Sequence, residues 1–324
     1  MTLDNFFIGS EEVWRKEQER RAKEAADKLA ADLVARRAAI EAKGGKKPAS
    51  AGQPPVIPPI TVPAGTSMIR LPNGNYAFAD IPYQGRILPA VELITQPLDG
   101  GKSKTQAQWV EWSGTHPNDG TPVDAELLYQ CLLRACTLRD DKVHKPVVQE
   151  FTQTMQGLFD PAKSYLMMMT NVKYGAGLDA VVTRVGTWPG GTKPSPVQIP
   201  EFTKNNPGDT GSYFVLSQQR PENKITSTKT IPLNAKPVLK ELLGDGHEHV
   251  GAVFPYFSTR KDSKVRESRF WTPAEDNRDI GERVVALGVN DYDRFDLNAS
   301  DVVYVNRSAL GVRLVEQKVL GGLQ

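Results

Sequence analysis

Apolar positions in the first forty residues recur at helical intervals. Ala22, Ala26, Leu29, Leu33 and Ile40 fall three, four or seven apart, so they line one narrow stripe while Arg and Glu cover the rest. Ser10 ahead of Glu11 and Glu12 suits an N-cap with acids in the first turn. The pattern predicts an amphipathic helix within residues 1–43, starting at Ser10 and running to about Lys43. A lone helix has nothing against which to bury such a stripe. It is expected to pair with copies of itself or to dock on another protein, and the competing reading is a solvated helix lying on its own domain.

Gly44-Gly45-Lys46-Lys47-Pro48 stops that helix, and Pro54, Pro55, Pro58, Pro59 and Pro63 impose extended backbone over the segment 44–66. This reads as a stiff Pro-rich linker ahead of a globular domain, 67–324. Past residue 67 the periodicity changes to short strands and tight turns. Asn73-Gly74 between Met68–Leu71 and Tyr76–Ala79 predicts a hairpin closed by a type I′ turn. Lys104–Ser113 reads as a helix with Trp109 and Trp112 on one face. Thr121-Pro122-Val123-Asp124 reads as the start of a second, with Thr121 as N-cap and Leu127, Leu128, Leu132 and Ala135 on its apolar face. A third is predicted over Lys145–Leu158. Strand-like runs follow at Tyr165–Thr170, Ala180–Val185, Tyr213–Gln218, Arg283–Val289 and Gly311–Val315. The fold class is therefore α+β, with long Gly/Pro/Asn/Ser connections, and Met167–Met169 reads as core filling.

Composition narrows the picture. The 324 residues are 39% hydrophobic, enough for a sizeable core, and 40 basic against 38 acidic residues leave a formal charge of only +2. Nucleic acid is thus not an expected partner on global charge. No apolar run is long enough for a bilayer span, and Met1–Ser10 lacks the features of a signal peptide. Cytoplasmic synthesis is expected. Cys131 and Cys136 would face different ways on one helix and are not expected to bond to each other.

Familiar catalytic motifs do not occur: there is no GxSxG, Walker loop, GxGxxG or HExxH. His247 and His249 are a candidate metal pair, against an exposed polar turn with the same sequence signature. Asp276, Asp279 and Glu282 are candidate acid/base carboxylates, against a charged loop. Gly186–Gly191 lacks a following helix to present to a phosphate, and Arg260–Arg266 is a basic stretch interrupted by an acid, both read as ordinary loops. No cofactor or metal is expected.

Toward the C-terminus, Arg269-Phe-Trp-Thr272, Val284-Val-Ala-Leu287 and Asn306-Arg-Ser-Ala-Leu-Gly-Val-Arg-Leu-Val315 follow at short intervals. In this order they resemble the closing portion of the C-type-lectin-like fold, as used by formylglycine-generating-enzyme-like domains and the variable proteins of diversity-generating retroelements. Trp109, Trp112 and Gly120–Leu127 are similar to its helical segment. The resemblance implies that the segment Asn290–Ser308 forms a ligand face, with Asn290, Asp291, Tyr292, Arg294, Asp296, Asn298, Ser300, Tyr304, Asn306 and Arg307 as contact residues. Adaptable polar groups beside stiff aromatics suit such a surface; a turn between edge strands is the plainer alternative. The paired C-terminal cysteines of the oxygen-using enzyme and the Glu-Pro-Asn and Trp-Asn-Asp signatures of calcium-dependent sugar binding are missing. What remains is a non-enzymatic binding or structural protein, a homo-oligomer or anchored subunit, with a phage decoration, neck or fibre component as a suitable setting. The alternative is a hydrolase or nuclease of unfamiliar type using the carboxylates or the histidine pair.

Overall fold

The computed structural model describes residues 68–159, 165–174, 179–185, 195–198, 211–219, 235–257, 266–273, 282–289, 294–302 and 306–315. All lie in a compact unit spanning Pro59–Gln324. The N-terminal helix and the Pro-rich linker expected from the sequence lie outside the described residues. Strands β1 (Met68–Arg70), β2 (Tyr76–Tyr83) and β3 (Arg86–Ile94) come first, then α1 (Gln106–Thr115) and β4 (Thr121–Pro122). Helices α2 (Ala125–Leu138) and α3 (Lys145–Leu158) precede β5 (Leu166–Tyr174), β6 (Asp179–Arg184), β7 (Ser195–Gln198) and β8 (Gly211–Gln219). Helices α4 (Lys236–Leu243) and α5 (Val250–Tyr256) lead to β9 (Arg266–Pro273), β10 (Glu282–Val289), β11 (Arg294–Val302) and β12 (Gly311–Leu314). The α+β class is as expected.

Among the described residues the strands form two sheets. One has the order β1-β2-β3-β12-β4 and the other β7-β6-β5-β10-β11-β9-β8. The last strand among the described residues, β12, is thus inserted between β3 and β4, with Val312 opposite Leu93 and Thr121. Backbone bonds tie the two sheets together: Met169 N donates to the Val123 carbonyl and Met167 N to that of Ser308, each at 2.9 Å. Helix α2 packs on β2 of the first sheet and on β5 and β10 of the second. Every residue from Ala125 to Leu132 is consequently buried, so the single apolar face read from the sequence understates how central this helix is.

One core runs through both sheets. Phe151 of α3 meets Tyr76 and Phe78 edge-on, with ring centroids 5.0 and 5.4 Å apart, and Phe254 of α5 stacks on Phe295 of β11 at 4.3 Å. A smaller cluster holds Trp109, Trp112, Met167, Met169 and Val284, while Met168, pointing the other way along the strand, enters the main core. The methionine run is packing, and the two tryptophans do share a face, as expected.

Two local expectations are corrected. The Asn73-Gly74 hairpin forms, but its turn is not type I′: Gly74 N donates to the Leu71 carbonyl at 2.9 Å, and of the two residues only Gly74 has positive φ, at 84°. Buried Glu92 explains this, because its Oε1 accepts from the side-chain amides of both Asn73 and Asn75 at 2.8 and 2.7 Å. The type I′ signature appears in the next hairpin instead, at Gln84 (φ 50°) and Gly85 (φ 72°). Thr121-Pro122 is strand β4, not a helix start. The N-cap of α2 is Asp124, whose Oδ1 accepts from Leu127 N at 3.0 Å.

Candidate functional site

The segment Asn290–Ser308 is not a single loop. Its middle, 294–302, is strand β11, antiparallel to β10 on one side and parallel to β9 on the other. A nine-residue strand spans about 26 Å at about 3.3 Å per residue. Arg294 at its start and Asn306 and Arg307 beyond its end are therefore set apart along the sheet. Asn290, Asp291, Tyr292 and Tyr304 lie outside the described residues. Arg294 opens the strand. Asp296 is buried and accepts from the Tyr165 hydroxyl at 2.7 Å. Asn298 Oδ1 is taken by the amide and hydroxyl of Ser300 at 2.8 and 2.6 Å. Asn306 is exposed, whereas Arg307 is half-buried, its carbonyl accepting from Trp109 Nε1 at 2.9 Å and its guanidinium lying 5.1 Å from the Tyr165 ring centroid. The polar-aromatic composition that suggested a binding loop here serves, in its described part, to fasten a central strand.

Glu282 is exposed at the start of β10, and Asp276 and Asp279 lie outside the described residues. His249 is exposed, whereas His247 is half-buried with Nδ1 donating to the Gly244 carbonyl at 3.2 Å. Among the described residues no group of three or more His, Cys, Asp or Glu side chains is placed to hold a metal. Both cysteines are free, and burial raises their thiols, that of Cys136 to about 12.

Polar groups do converge at the start of α2. Asp124 is fully enclosed: one oxygen caps the helix and the other accepts from the Tyr83 hydroxyl at 2.5 Å. Glu126, two residues on, is just as fully used. Its Oε1 accepts from Gln84 N at 2.8 Å, and its Oε2 pairs with Arg184 Nη2, which also donates to the Glu241 carbonyl at 2.8 Å. Loss of water raises both carboxyls above their ordinary range, and the Arg184 cation, the Tyr83 hydroxyl on Asp124 and the backbone amides pull them back. The same desolvation raises the Tyr83 hydroxyl strongly, with Asp124 adding to it, so this proton stays on the phenol. One turn further, Gln130 Nε2 donates to the carbonyls of Leu243 and Asp245 at 2.8 and 2.6 Å, and the Tyr129 hydroxyl to that of Gly246 at 2.7 Å.

These bonds bolt the C-terminal end of α4 and the following Gly244–His247 turn onto α2. The clamped rim borders an open groove of about 650 Å³ between α4 and edge strand β7, lined by Pro196, Val197, Lys236, Pro237, Lys240, Glu241 and His247. Lys236 and Lys240 stand one helical turn apart, so both ammonium groups serve one side of the helix. The groove therefore sets the apolar surface of Pro196, Val197 and Pro237 beside Lys236, Lys240, Glu241 and His247. Sequence reading missed it because the lysines are far from the polar residues that position them; Lys236-Pro237-Val-Leu-Lys240 with Leu242-Leu243 before Gly244 was the available sign of a capped amphipathic helix.

Comparison with family models, curated proteins and solved structures finds no match to this chain. Among the described residues no helix is long and apolar enough to cross a membrane.

Proposed function

We propose that the protein is a non-enzymatic binding and structural component. Its N-terminal segment joins copies to one another or to an assembly, and its body offers the Lys236/Lys240/His247 groove to an acidic protein segment. The observation that carries this reading is the clamp beside that groove: Arg184, paired with Glu126, donates to the Glu241 carbonyl on the helix that bears the lysines, and Gln130 and Tyr129 hold the turn after it. Rigid mounting of a few exposed charges favours recognition, since little side-chain and loop ordering remains to be done on binding. A subunit of a phage particle, such as a decoration, neck or fibre protein, fits the combination of helix, proline-rich arm and body; this rests on layout.

The test has two arms, both on the full chain. Light scattering is expected to give a mass above that of one 35.7 kDa chain, and a monomer at all concentrations would remove self-association and leave only docking on a different protein. An oligoglutamate peptide is expected to bind with a dissociation constant that weakens at least tenfold in Lys236→Glu/Lys240→Glu and rises with salt. Equal binding by the variant would remove the groove from the reading.

A further inference from the structure

The turn that carries His247 is held in place from several sides. Gly244 and Gly246 both take positive φ, at 76°, Gln130 holds the Leu243 and Asp245 carbonyls, and the Tyr129 hydroxyl holds that of Gly246. His247 lines the groove together with Lys236, Lys240 and Glu241. Its Nδ1 faces two oxygens, the Gly244 carbonyl at 3.2 Å and Glu248 Oε2 at 3.5 Å. A carbonyl and a carboxylate can only accept, so Nδ1 carries the hydrogen and the neutral ring is the Nδ1–H tautomer. Nε2 is then a bare lone pair, and among the described residues it has no hydrogen-bond partner.

The neutral and protonated rings differ at that one atom. A lone pair on Nε2 repels a carboxylate, whereas the Nε2–H of an imidazolium donates to one with the help of its charge. Imidazole is the side chain that ordinarily makes this change between about pH 5 and pH 8. Groups of both signs face the ring. Glu248 on its own turn and Glu241 of α4 favour the cation, and Lys236 and Lys240 of α4 oppose it. Asp245 and His249 flank it in sequence. From α2 come Tyr129, whose proton burial retains, and Glu126, which is paired with Arg184 of β6. Strand β7 contributes Pro196 and Val197, which carry no charge. An arriving carboxylate adds to the favourable side, so proton uptake and binding of an acidic segment strengthen each other.

We propose that His247 makes the groove pH-sensitive: a proton taken from solvent at Nε2 adds a third cationic donor to Lys236 and Lys240, and an acidic segment is held more tightly as pH falls. This rests on the reading of the groove as the site of such a segment.

Oligoglutamate binding to the full chain at about pH 5.5 and about pH 8 tests it, since glutamate carboxyls, with an ordinary pKa of about 4.3, are largely ionised at both. The peptide is expected to bind about threefold more tightly at the lower pH, the scale of one added exposed ion pair. His247→Gln keeps an N–H for the Gly244 carbonyl but cannot gain a charge, so its two dissociation constants are expected to differ far less. His249→Gln changes an exposed neighbour and is expected to keep the parent's ratio. Equal ratios in the parent and His247→Gln would overturn the proposal, as would loss of the ratio in His249→Gln, which would place the sensor on the other ring. Failure of the groove reading itself looks different, because Lys236→Glu/Lys240→Glu would then bind as the parent does at both pH values.

Discussion

Arg184 on β6 and Glu126 on α2 form a largely enclosed ion pair, with 12% and 5% of their side chains exposed, and Arg184 Nη2 also reaches the Glu241 carbonyl of α4. Three elements distant in sequence are thereby held at one point. Removing one partner of such a pair leaves an uncompensated charge and costs about 3–5 kcal/mol, more than the pair itself contributes against an apolar replacement. Glu126→Ala and Arg184→Ala are each expected to lose stability in that range. The double variant is expected to lose less than their sum by at least about 1 kcal/mol. Urea unfolding of the four proteins measures the difference, and strictly additive losses would mean that the two side chains contribute separately.

Most of the regular elements were legible because their signals are local. Lys145–Leu158 begins with a proline in its first turn and carries Val148, Phe151 and Met155 at helical spacing, and its bounds match the structure. The strands around Met167, Val182 and Leu287 stand out as short apolar runs. Tertiary partners decide the rest. Nothing near Asn73 reveals that Glu92 will claim both asparagine amides and alter the turn, and nothing near Asp296 reveals that Tyr165 will bury it. Tyr, Asp, Asn and Ser serve equally to build a recognition loop or to pin a central strand, so composition alone does not reveal that 294–302 is strand β11. The groove was invisible for the same reason: Glu241, Arg184 and Gln130 meet only after folding.

Asp124 gives a pH dependence with a definite sign. Burial, the largest influence, raises its pKa in the folded chain above the unfolded value of about 3.9. The folded state thus binds a proton more tightly, and its stability falls as pH rises from the unfolded pKa through the folded one. Glu126 acts in the same direction, while Asp141 and Asp99, lowered chiefly by the His144 amide and by Lys104, act in the opposite one. Asp124→Asn keeps a side-chain oxygen for the Leu127 amide and removes the ionisation; it also turns the acceptor of the Tyr83 hydroxyl into an NH2 donor, a cost that does not vary with pH. Its stability is expected to decline less than that of the parent between about pH 4 and pH 7, and thermal melts across that interval measure the difference between the two proteins. Parallel curves would show that Asp124 does not titrate differently on folding.

Gly244 joins backbone geometry to the ion pair. Its φ of 76° and ψ of −154° fall in a region that side chains avoid, and a Cβ there would lie 2.5 Å from Glu126 Oε1. Gly74 provides the comparison, since its φ of 84° is also positive but its Cβ would meet nothing within 4 Å. Gly74→Ala is expected to cost about 1–2 kcal/mol from backbone strain alone. Gly244→Ala should cost more, because Glu126 must either abandon Arg184 or push the Gly244–His247 turn off α2. The second route also predicts faster amide hydrogen exchange at His247 and weaker binding of oligoglutamate, because the rim carrying the groove is no longer clamped. Equal losses in the two variants, with exchange at His247 unchanged, would mean that Glu126 moves aside freely and that the turn owes its position to other contacts.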